Sequence, residues 1–365
     1  MSDHSRSIGP EADLDGADLT RSDLAGVSLK DASLTGADLR GLDLRTTDLG
    51  GAVLIDARLD GANLSGLTLD GALLSRATLA GADLTGTTFS GCLLDDVAFR
   101  DATMEGAAIL ECDASRAQFR GADLRRARIN ATLLEDADLA GCDLTGSDLQ
   151  EAIGLGADLT RARLVDADLR TAVLRGASLV EADCSRAVLS GAILERAVAA
   201  NATFTAATLV TTFARQADLS GADFTGAKLS VGTFERATLR GAVFAATIAD
   251  YGVFEFADLR DARWAESQMH FANLVGADLR GAEARTTSFY AADFYWALLT
   301  DFRHAGCDVD DARMPSPLSV RYGASTRAPI VPPRPLYHAT IDPDALRARL
   351  ADAPPRPASR RPAAR

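Results

Sequence analysis

Carboxylates, imidazoles and thiols are the side chains in this sequence that could carry chemistry. Pairs of carboxylates serve general acid–base catalysis, but catalysis needs a few groups in distinct environments, and here the aspartates recur at a fixed spacing. The four histidines, His4, His270, His304 and His338, show no metal-ligand spacing with one another or with a cysteine. The five cysteines form no CxxC pair. We therefore predict that the protein is not an enzyme and holds no metal or cofactor.

The fixed spacing is a five-residue repeat, clearest as ADLRG at residues 37–41. It runs from Ala12 to about residue 313 without an inserted or deleted residue. The middle column of the repeat, from Leu14 to Val309, is Leu at 36 of 60 positions, and the column two residues earlier is Ala at 40 of 60. Neither column contains a charged residue, so both are predicted to point inward and the other three columns outward.

Glycine indicates where the chain turns. Of the 30 glycines, 24 lie two residues after the middle residue, and Gly adopts positive φ without penalty, so this column is predicted to form corners. A chain that turns every five residues and buries one large and one small side chain each time should wind into a solenoid. Four corners make a square coil of about 20 residues. The cysteines fit this pattern as buried small hydrophobes, because all five occupy inward columns.

The A(D/N)LxG unit resembles the repeat of the pentapeptide-repeat family over residues 12–313. The resemblance implies an all-β fold, a right-handed quadrilateral parallel β-helix. Four units per coil give about 15 coils and, at ~4.8 Å per coil, a rod roughly 70 Å long. Some members of the family, which this chain resembles, are encoded together with bacterial secretion machinery and act there as accessory or adaptor proteins. Others resemble B-DNA and bind DNA gyrase, which gives inhibition or quinolone protection.

The two ends of the chain differ from the repeat. Residues 1–11 are polar and are predicted to be a flexible N-terminus. Residues 314–365 hold 11 of the 12 prolines and are predicted to form a Pro/Arg-rich tail with one short helix at about 343–352. Residues 12–313 carry 46 acidic and 28 basic residues, a net charge of −18, whereas the tail carries 3 and 9, a net charge of +6. No apolar run approaches the ~18 residues of a membrane span, so we expect a cytoplasmic protein that binds no membrane.

One outward column is apolar where the family usually has a polar residue. Its apolar members, called the apolar stripe below, are Val53, Leu73, Leu93, Leu133, Ile153, Val173, Ile193, Phe213 and Val253. One interpretation is a harmless ladder of side chains that suit a strand surface. The other is an exposed contact surface for self-association or a partner, because roughly 50 Å of contiguous apolar surface exceeds what a solvated face normally shows.

A second outward group, the aromatic patch, lies towards the C-terminal end of the repeat. It comprises Tyr251, Phe256, Phe271, Tyr290, Tyr295 and Trp296, all in the two columns after the middle residue, which we expect to meet around one corner. In one interpretation the Pro-rich tail folds back over these residues. In the other they bind another protein.

The acidic residues suggest the alternative of DNA mimicry. The longest stretch without Lys or Arg is residues 129–160, which contains Glu135, Asp136, Asp138, Asp143, Asp148, Glu151 and Asp158. B-DNA carries one negative charge per ~1.7 Å, which is nearly three charges over the height of one coil. The net charge of −18 over about 15 coils gives little more than one negative charge per coil. We therefore favour a protein-interaction scaffold or adaptor over a DNA-mimicking regulator of gyrase. Its partners would be proteins, with self-association as a homodimer or end to end, and the solenoid would not bind nucleic acid directly.

Overall fold

The computed structural model describes residues 8–315, and this part of the chain is a solenoid of parallel coils. Outward residues before the middle position pair with the residue 20 positions further on, and fifteen successive pairings lead from Asp13 to Arg313. The prediction of an all-β, four-cornered solenoid of about 15 coils is therefore confirmed. Backbone hydrogen bonds join the coils, as where Leu14 N donates to Ser33 O (2.7 Å) and Ser33 N donates to Ala12 O (2.9 Å).

Seven short strands form where the pairing extends over three residues. Strands β1 (Thr68–Asp70), β2 (Thr88–Ser90) and β3 (Ala108–Leu110) make one parallel sheet in that order. Strands β4 (Val243–Ala245), β5 (Arg263–Ala265), β6 (Glu283–Arg285) and β7 (Arg303–Ala305) make a second. The register is 20 residues throughout, so equivalent side chains of successive coils stand directly above one another.

The inward columns form one continuous core. The Leu column is buried from Leu14 to Phe294 and the Ala column from Thr47 to Ala297, as the absence of charge in these columns predicts. In the first coils Ala17, Val27 and Leu42 are half-buried. In the Leu column, aromatic rings of successive coils stack on one another. The ring centroids of Phe204 and Phe224, and those of Phe224 and Phe244, are 5.2 Å apart. The centroids of Phe244 and Trp264 are 5.1 Å apart. At the inward glycine, Gly154, the side chains of Leu174 and Leu134 fill the space that a larger residue would take.

The corners adopt the left-handed backbone conformation that the glycines predict, but glycine is not required there. Positive φ occurs at 24 glycines and also at 35 other residues, among them Asp56 (57°), Val231 (60°) and Trp296 (61°). A side chain in this conformation costs roughly 1–2 kcal/mol per residue. The ladders of backbone hydrogen bonds on either side hold such corners in place.

The described part of the chain includes some residues beyond the predicted repeat. Glu11 forms a corner (φ 57°), and its N–H donates to Lys30 O (2.9 Å), so residues 9–11 already belong to the first coil. At the other end, Met314 packs against the core. The predicted helix at about 343–352 lies outside the described residues. Within residues 8–315 no helix is long and apolar enough to cross a membrane.

Candidate interaction surface

The apolar stripe occupies one face of the solenoid, called the stripe face below. The residues of this column pair from coil to coil without a break from Val53 to Val253. Within this range only Asp113 and Thr233 are not apolar. Arg313, where the described chain nearly ends, lies in the same column. The stripe face therefore extends from the N-terminal coils to the last coil.

The middle of the stripe is buried, which corrects the prediction that the stripe is exposed along its length. Leu133 and Ile153 have no exposed surface, and Val173 and Ile193 retain 8% and 9%. These four residues form a hydrophobic cluster separate from the core, with Leu155 and Phe213 packed against it. The remaining stripe residues, Val53, Leu73, Leu93, Phe213 and Val253, are half-buried.

The aspartates that the stripe replaces have a structural role that the sequence pattern did not reveal. On the other faces, Asp in this column accepts a hydrogen bond from the backbone N–H two residues later, as Asp83 Oδ1 does from Thr85 N (3.0 Å) and Asp158 Oδ1 from Thr160 N (2.9 Å). Such bonds stabilise the turn that follows. An apolar side chain cannot make this bond, so each stripe residue forgoes a local contribution to the fold.

The aromatic patch lies at two corners, not one, which corrects the second prediction. Tyr251, Phe271 and Tyr290 lie at the corner before the stripe face, since they precede its paired residues Val253, Asn273 and Asp293 by two or three positions. Phe256, Tyr295 and Trp296 lie at the corner after it, two or three positions beyond the same paired residues. The error arose because columns one and two residues after the middle position recur at all four corners. The two groups, called the aromatic corners below, therefore flank the upper part of the stripe face.

Each aromatic corner is held by ring contacts. Tyr251 stacks on Phe271 at 4.9 Å, and Tyr290 meets Phe271 edge-on at 5.6 Å. On the other corner Tyr295 stacks on Trp296 at 4.7 Å. Guanidinium groups lie over two of these rings, Arg313 at 3.9 Å from Tyr295 and Arg236 at 5.7 Å from Phe256.

These rings retain much of their surface. Trp296 is 65% exposed and Phe256 44%, and Tyr251 and Tyr290 are also exposed. The tail, which one of the two sequence-based interpretations places over the aromatic patch, lies outside the described residues. Aromatic rings clustered on a surface are enriched at protein–protein interfaces.

Four of the six aromatics stand at strained positions. Tyr251 (58°), Phe256 (56°), Phe271 (57°) and Trp296 (61°) all have positive φ. Gly occupies the equivalent position one coil from Phe256 and from Trp296, at Gly276, where the Phe256 ring covers it. The positions one coil from Tyr251 and Phe271 on their outer sides are Val231 and Ala291, which also have positive φ. These aromatic side chains therefore share the conformation of the other non-glycine corners, which the backbone hydrogen bonds hold in place.

The acidic residues of segment 129–160 do not form one surface. Asp138 and Asp158 pair on one face, Asp143 lies on the next and Asp148 on a third. Glu135 lies on the stripe face, and Asp136 and Glu151 form corners with φ of 54° and 60°. The solenoid therefore distributes these carboxylates around its circumference.

Arginines neutralise many of the other carboxylates. The bidentate pairs Arg40–Asp38 and Arg45–Asp43 each have a 2.7 Å contact between Nη2 and Oδ2. Other pairs join successive coils, such as Arg76–Asp56 and Arg186–Asp166, also at 2.7 Å. Hydrogen bonds from Arg40 and Arg45 lower the pKa of Asp38 and of Asp43 to about 2. Fixed Asp–Arg pairs reduce the acidic field that a mimic of DNA requires.

The lowered pKa values of these aspartates predict that the folded protein loses stability in acid. Because the folded-state pKa of Asp43 is lowered to about 2, below the ordinary 3.8, its contribution to stability is present above about pH 4 and is lost as the pH falls towards 2. Asp43→Asn keeps an acceptor for the backbone N–H but removes the charge. We expect the thermal unfolding midpoint of the Asp43→Asn variant to fall less steeply than that of the wild type between pH 5 and pH 2. Equal slopes would contradict the ion-pair account.

The histidines and cysteines are the remaining candidate metal ligands. Within residues 8–315 no group of three or more His, Cys, Asp or Glu side chains could hold a metal ion. His270 Nδ1 lies 3.3 Å from Asp250 Oδ1, and His304 is exposed in the last coil. All five cysteines are free thiols, and burial raises the pKa of Cys142 and of Cys184 to about 12.

Comparison with known families decides the classification. The sequence profile of pentapeptide repeats matches eight stretches that together cover more than half of the chain: residues 12–51, 52–91, 92–130, 137–176, 167–205, 182–213, 200–230 and 267–303. The chain belongs to the pentapeptide-repeat family. The structure continues the coils of this pentapeptide-repeat protein without interruption through residues 231–266, which the profile does not match.

Solved structures give weaker similarities. The pentapeptide-repeat protein HetL, involved in heterocyst differentiation regulation in the cyanobacterium Nostoc, is 22% identical over 72% of this chain and 91% of its own, with a TM-score of 0.19. The plasmid-mediated fluoroquinolone resistance protein QnrB1 is 19% identical over 53% and 93%, with a TM-score of 0.30. The periplasmic alginate epimerase AlgG is 7% identical over 78% and 76%, with a TM-score of 0.28. These values are too low to carry an argument about function. No curated protein matches the chain.

Proposed function

We propose that this protein is a non-enzymatic scaffold or adaptor that binds a protein partner along the stripe face, with the aromatic corners as the main contact. In this role it would be an accessory part of a multiprotein assembly. A rigid solenoid suits the task, because it holds side chains from many coils at fixed 20-residue spacing.

The observation that carries the proposal is the cluster of exposed aromatic rings at the two aromatic corners. Among the large hydrophobic residues of the described part of the chain Trp296 is the most exposed, at 65%, and it stands at a corner with a φ of 61°. Gly would relieve the strain there, and a polar residue would lower the exposed apolar area. Trp and Tyr are also the residues most often found to dominate binding energy at protein interfaces.

DNA mimicry remains the alternative, with gyrase as the target. It has less support, because the acidic residues of segment 129–160 are spread around the coil and because Arg pairs neutralise carboxylates such as Asp38 and Asp43. The two functions predict different contact surfaces, so one experiment can separate them.

The test compares capture of partner proteins by the full-length chain and by a variant in which the four strained aromatics become Gly: Tyr251→Gly, Phe256→Gly, Phe271→Gly and Trp296→Gly. We expect the wild type to retain a defined partner and this variant to lose it by at least about 10-fold, the effect of roughly 1.4 kcal/mol or more of binding free energy.

A matched control changes four corners away from the stripe face: Asn201→Gly, Ala206→Gly, Ala246→Gly and Thr286→Gly. These residues also have positive φ, between 49° and 57°. The control should capture as much partner as the wild type. A partner that binds the wild type and both variants equally would refute the proposal, and retention of gyrase by all three would favour DNA mimicry.

A further inference from the structure

The two aromatic corners differ in charge. The corner before the stripe face, with Tyr251, Phe271 and Tyr290, is called the first aromatic corner below, and the corner after that face is called the second. Of the twelve residues at the first corner between residues 210 and 311, three are Asp and none is Lys or Arg. The second corner carries Arg215 and Arg236 over the same coils. Only the first corner therefore combines aromatic rings with uncompensated carboxylates.

The three carboxylates lie below and above the rings of the first corner. Asp250 lies in the same coil as Tyr251, and Asp310 and Asp311 lie three coils higher. Asp250 Oδ1 accepts a hydrogen bond from the backbone N–H of His270 (3.0 Å), and Asp311 Oδ2 accepts one from the Tyr290 hydroxyl (3.2 Å). Within residues 8–315 none of the three aspartates forms an ion pair with Lys or Arg. The adjoining face adds one charge of each sign in these coils, Lys228 and Asp308, so the corner stays acidic.

The second corner already holds cations of its own. The Arg313 guanidinium lies 3.9 Å from the centroid of the Tyr295 ring, and that of Arg236 lies 5.7 Å from the centroid of the Phe256 ring. In the described part of the chain no Lys or Arg lies over Tyr251 or Phe271. The solenoid thus shows at one corner how a guanidinium stacks on these rings, and at the other corner it supplies the rings without the cation.

We propose that the partner presents a basic segment to the first aromatic corner. An Arg or Lys side chain of this segment lies over the rings of Tyr251 and Phe271, which stack on each other at 4.9 Å, and its neighbours pair with the three aspartates. A cation is attracted to the face of an aromatic ring, and the carboxylates beside the rings add to this attraction. A neutral or acidic segment would gain neither interaction. The inference rests on the proposed function and adds the chemical class of the partner.

The spacing of the carboxylates sets the length of the segment. Three coils separate Asp250 from Asp310, which is about 14 Å at ~4.8 Å per coil. About five extended residues span this distance. A basic peptide of six residues is therefore long enough to contact both ends of the corner and the rings between them.

Titration of a fluorescent hexa-arginine peptide into the full-length protein, followed by anisotropy, tests the role of the rings. We expect the variant Tyr251→Gly with Phe271→Gly to bind the peptide at least about 10-fold more weakly than the wild type. The control, Ala246→Gly with Thr286→Gly, also places Gly at two corners with positive φ, but away from the stripe face. It should bind like the wild type. Equal affinity of all three proteins would overturn the proposal.

The role of the carboxylates needs a control for net charge, because the whole solenoid is acidic. We expect Asp310→Asn with Asp311→Asn to weaken binding of the peptide about 3-fold or more at low ionic strength. Asp101→Asn with Asp301→Asn removes the same charge at the diagonally opposite corner and should leave the affinity unchanged. Equal losses in the two variants would overturn the proposal, because the peptide would then respond to net charge alone.

Two further outcomes separate this inference from its alternatives. Residues 316–365 contain nine arginines, and replacing all nine by Gln in the full-length chain should leave the affinity for the peptide unchanged. Tighter binding by that variant would overturn the proposal, because the chain's own arginines would then compete for the corner. A partner that requires the four strained aromatics but not Asp310 and Asp311 would overturn this inference alone, whereas a partner that requires neither would refute the proposed function.

Discussion

Replacing Phe224 by Ala is expected to lower the free energy of unfolding by about 3–5 kcal/mol, the cost of removing a fully buried aromatic ring. Phe224 has no exposed surface, and its ring lies between those of Phe204 and Phe244, at 5.2 Å from each. Its loss would open a cavity and break the ring stack in two. The core cannot close this gap easily, because the hydrogen-bonded coils above and below fix the rise.

Urea denaturation followed by circular dichroism measures this effect, with Phe224→Leu as the control. Leu is the residue that most units carry in this column, so the control should cost less than about 1.5 kcal/mol. A loss below about 1.5 kcal/mol for Phe224→Ala would mean that the ring stack contributes little. Because neighbouring coils stabilise one another, a broadened transition would indicate that the solenoid unfolds in two parts at this point.

Replacing Trp296 by Gly is expected to reduce affinity for the partner by about 30-fold or more, a loss of at least roughly 2 kcal/mol. Trp296 offers the largest exposed aromatic surface at the corners, and its stacking on Tyr295 keeps the ring ordered before binding. An ordered ring loses little conformational entropy on binding, which raises its contribution to affinity.

The same substitution should leave the fold intact. Trp296 has a φ of 61°, where a non-glycine residue is strained by roughly 1–2 kcal/mol, and little of its side chain is buried. Gly relieves this strain, which offsets its own loss of conformational entropy of about 0.5–1 kcal/mol. We expect an unfolding midpoint equal to or above that of the wild type, so a loss of binding cannot be ascribed to unfolding.

Much of the fold could be predicted because the repeat carries redundant information. The uncharged inward columns and the corner glycines predict the same square coil at each of some 60 units. A single exception, such as Gly154 in the Leu column, therefore does not change the prediction. The structure adds that many corners need no Gly, because interlocked backbone hydrogen bonds hold residues such as Val231 at positive φ.

The surface was harder to predict from the sequence. The stripe could be found, since a 20-residue step aligns its members, but the burial of Leu133 and Ile153 could not, because Val53 in the same column is only half-buried. The aromatic patch was assigned to one corner because Tyr251 and Phe256 occupy the same column of the unit; they are five residues apart and hence on successive corners. The turn-stabilising role of residues such as Asp83 depends on hydrogen-bond geometry that composition does not show.

The most direct measurement of the central claim is a calorimetric titration of the purified partner into three full-length proteins: the wild type, Trp296→Gly and Thr286→Gly. Thr286 also has positive φ, 49°, but lies at a corner away from the stripe face, so its substitution controls for the change of backbone. The account predicts that Trp296→Gly binds about 30-fold more weakly or worse and that Thr286→Gly binds like the wild type. Equal affinity of all three proteins would show that the aromatic corners are not the binding surface.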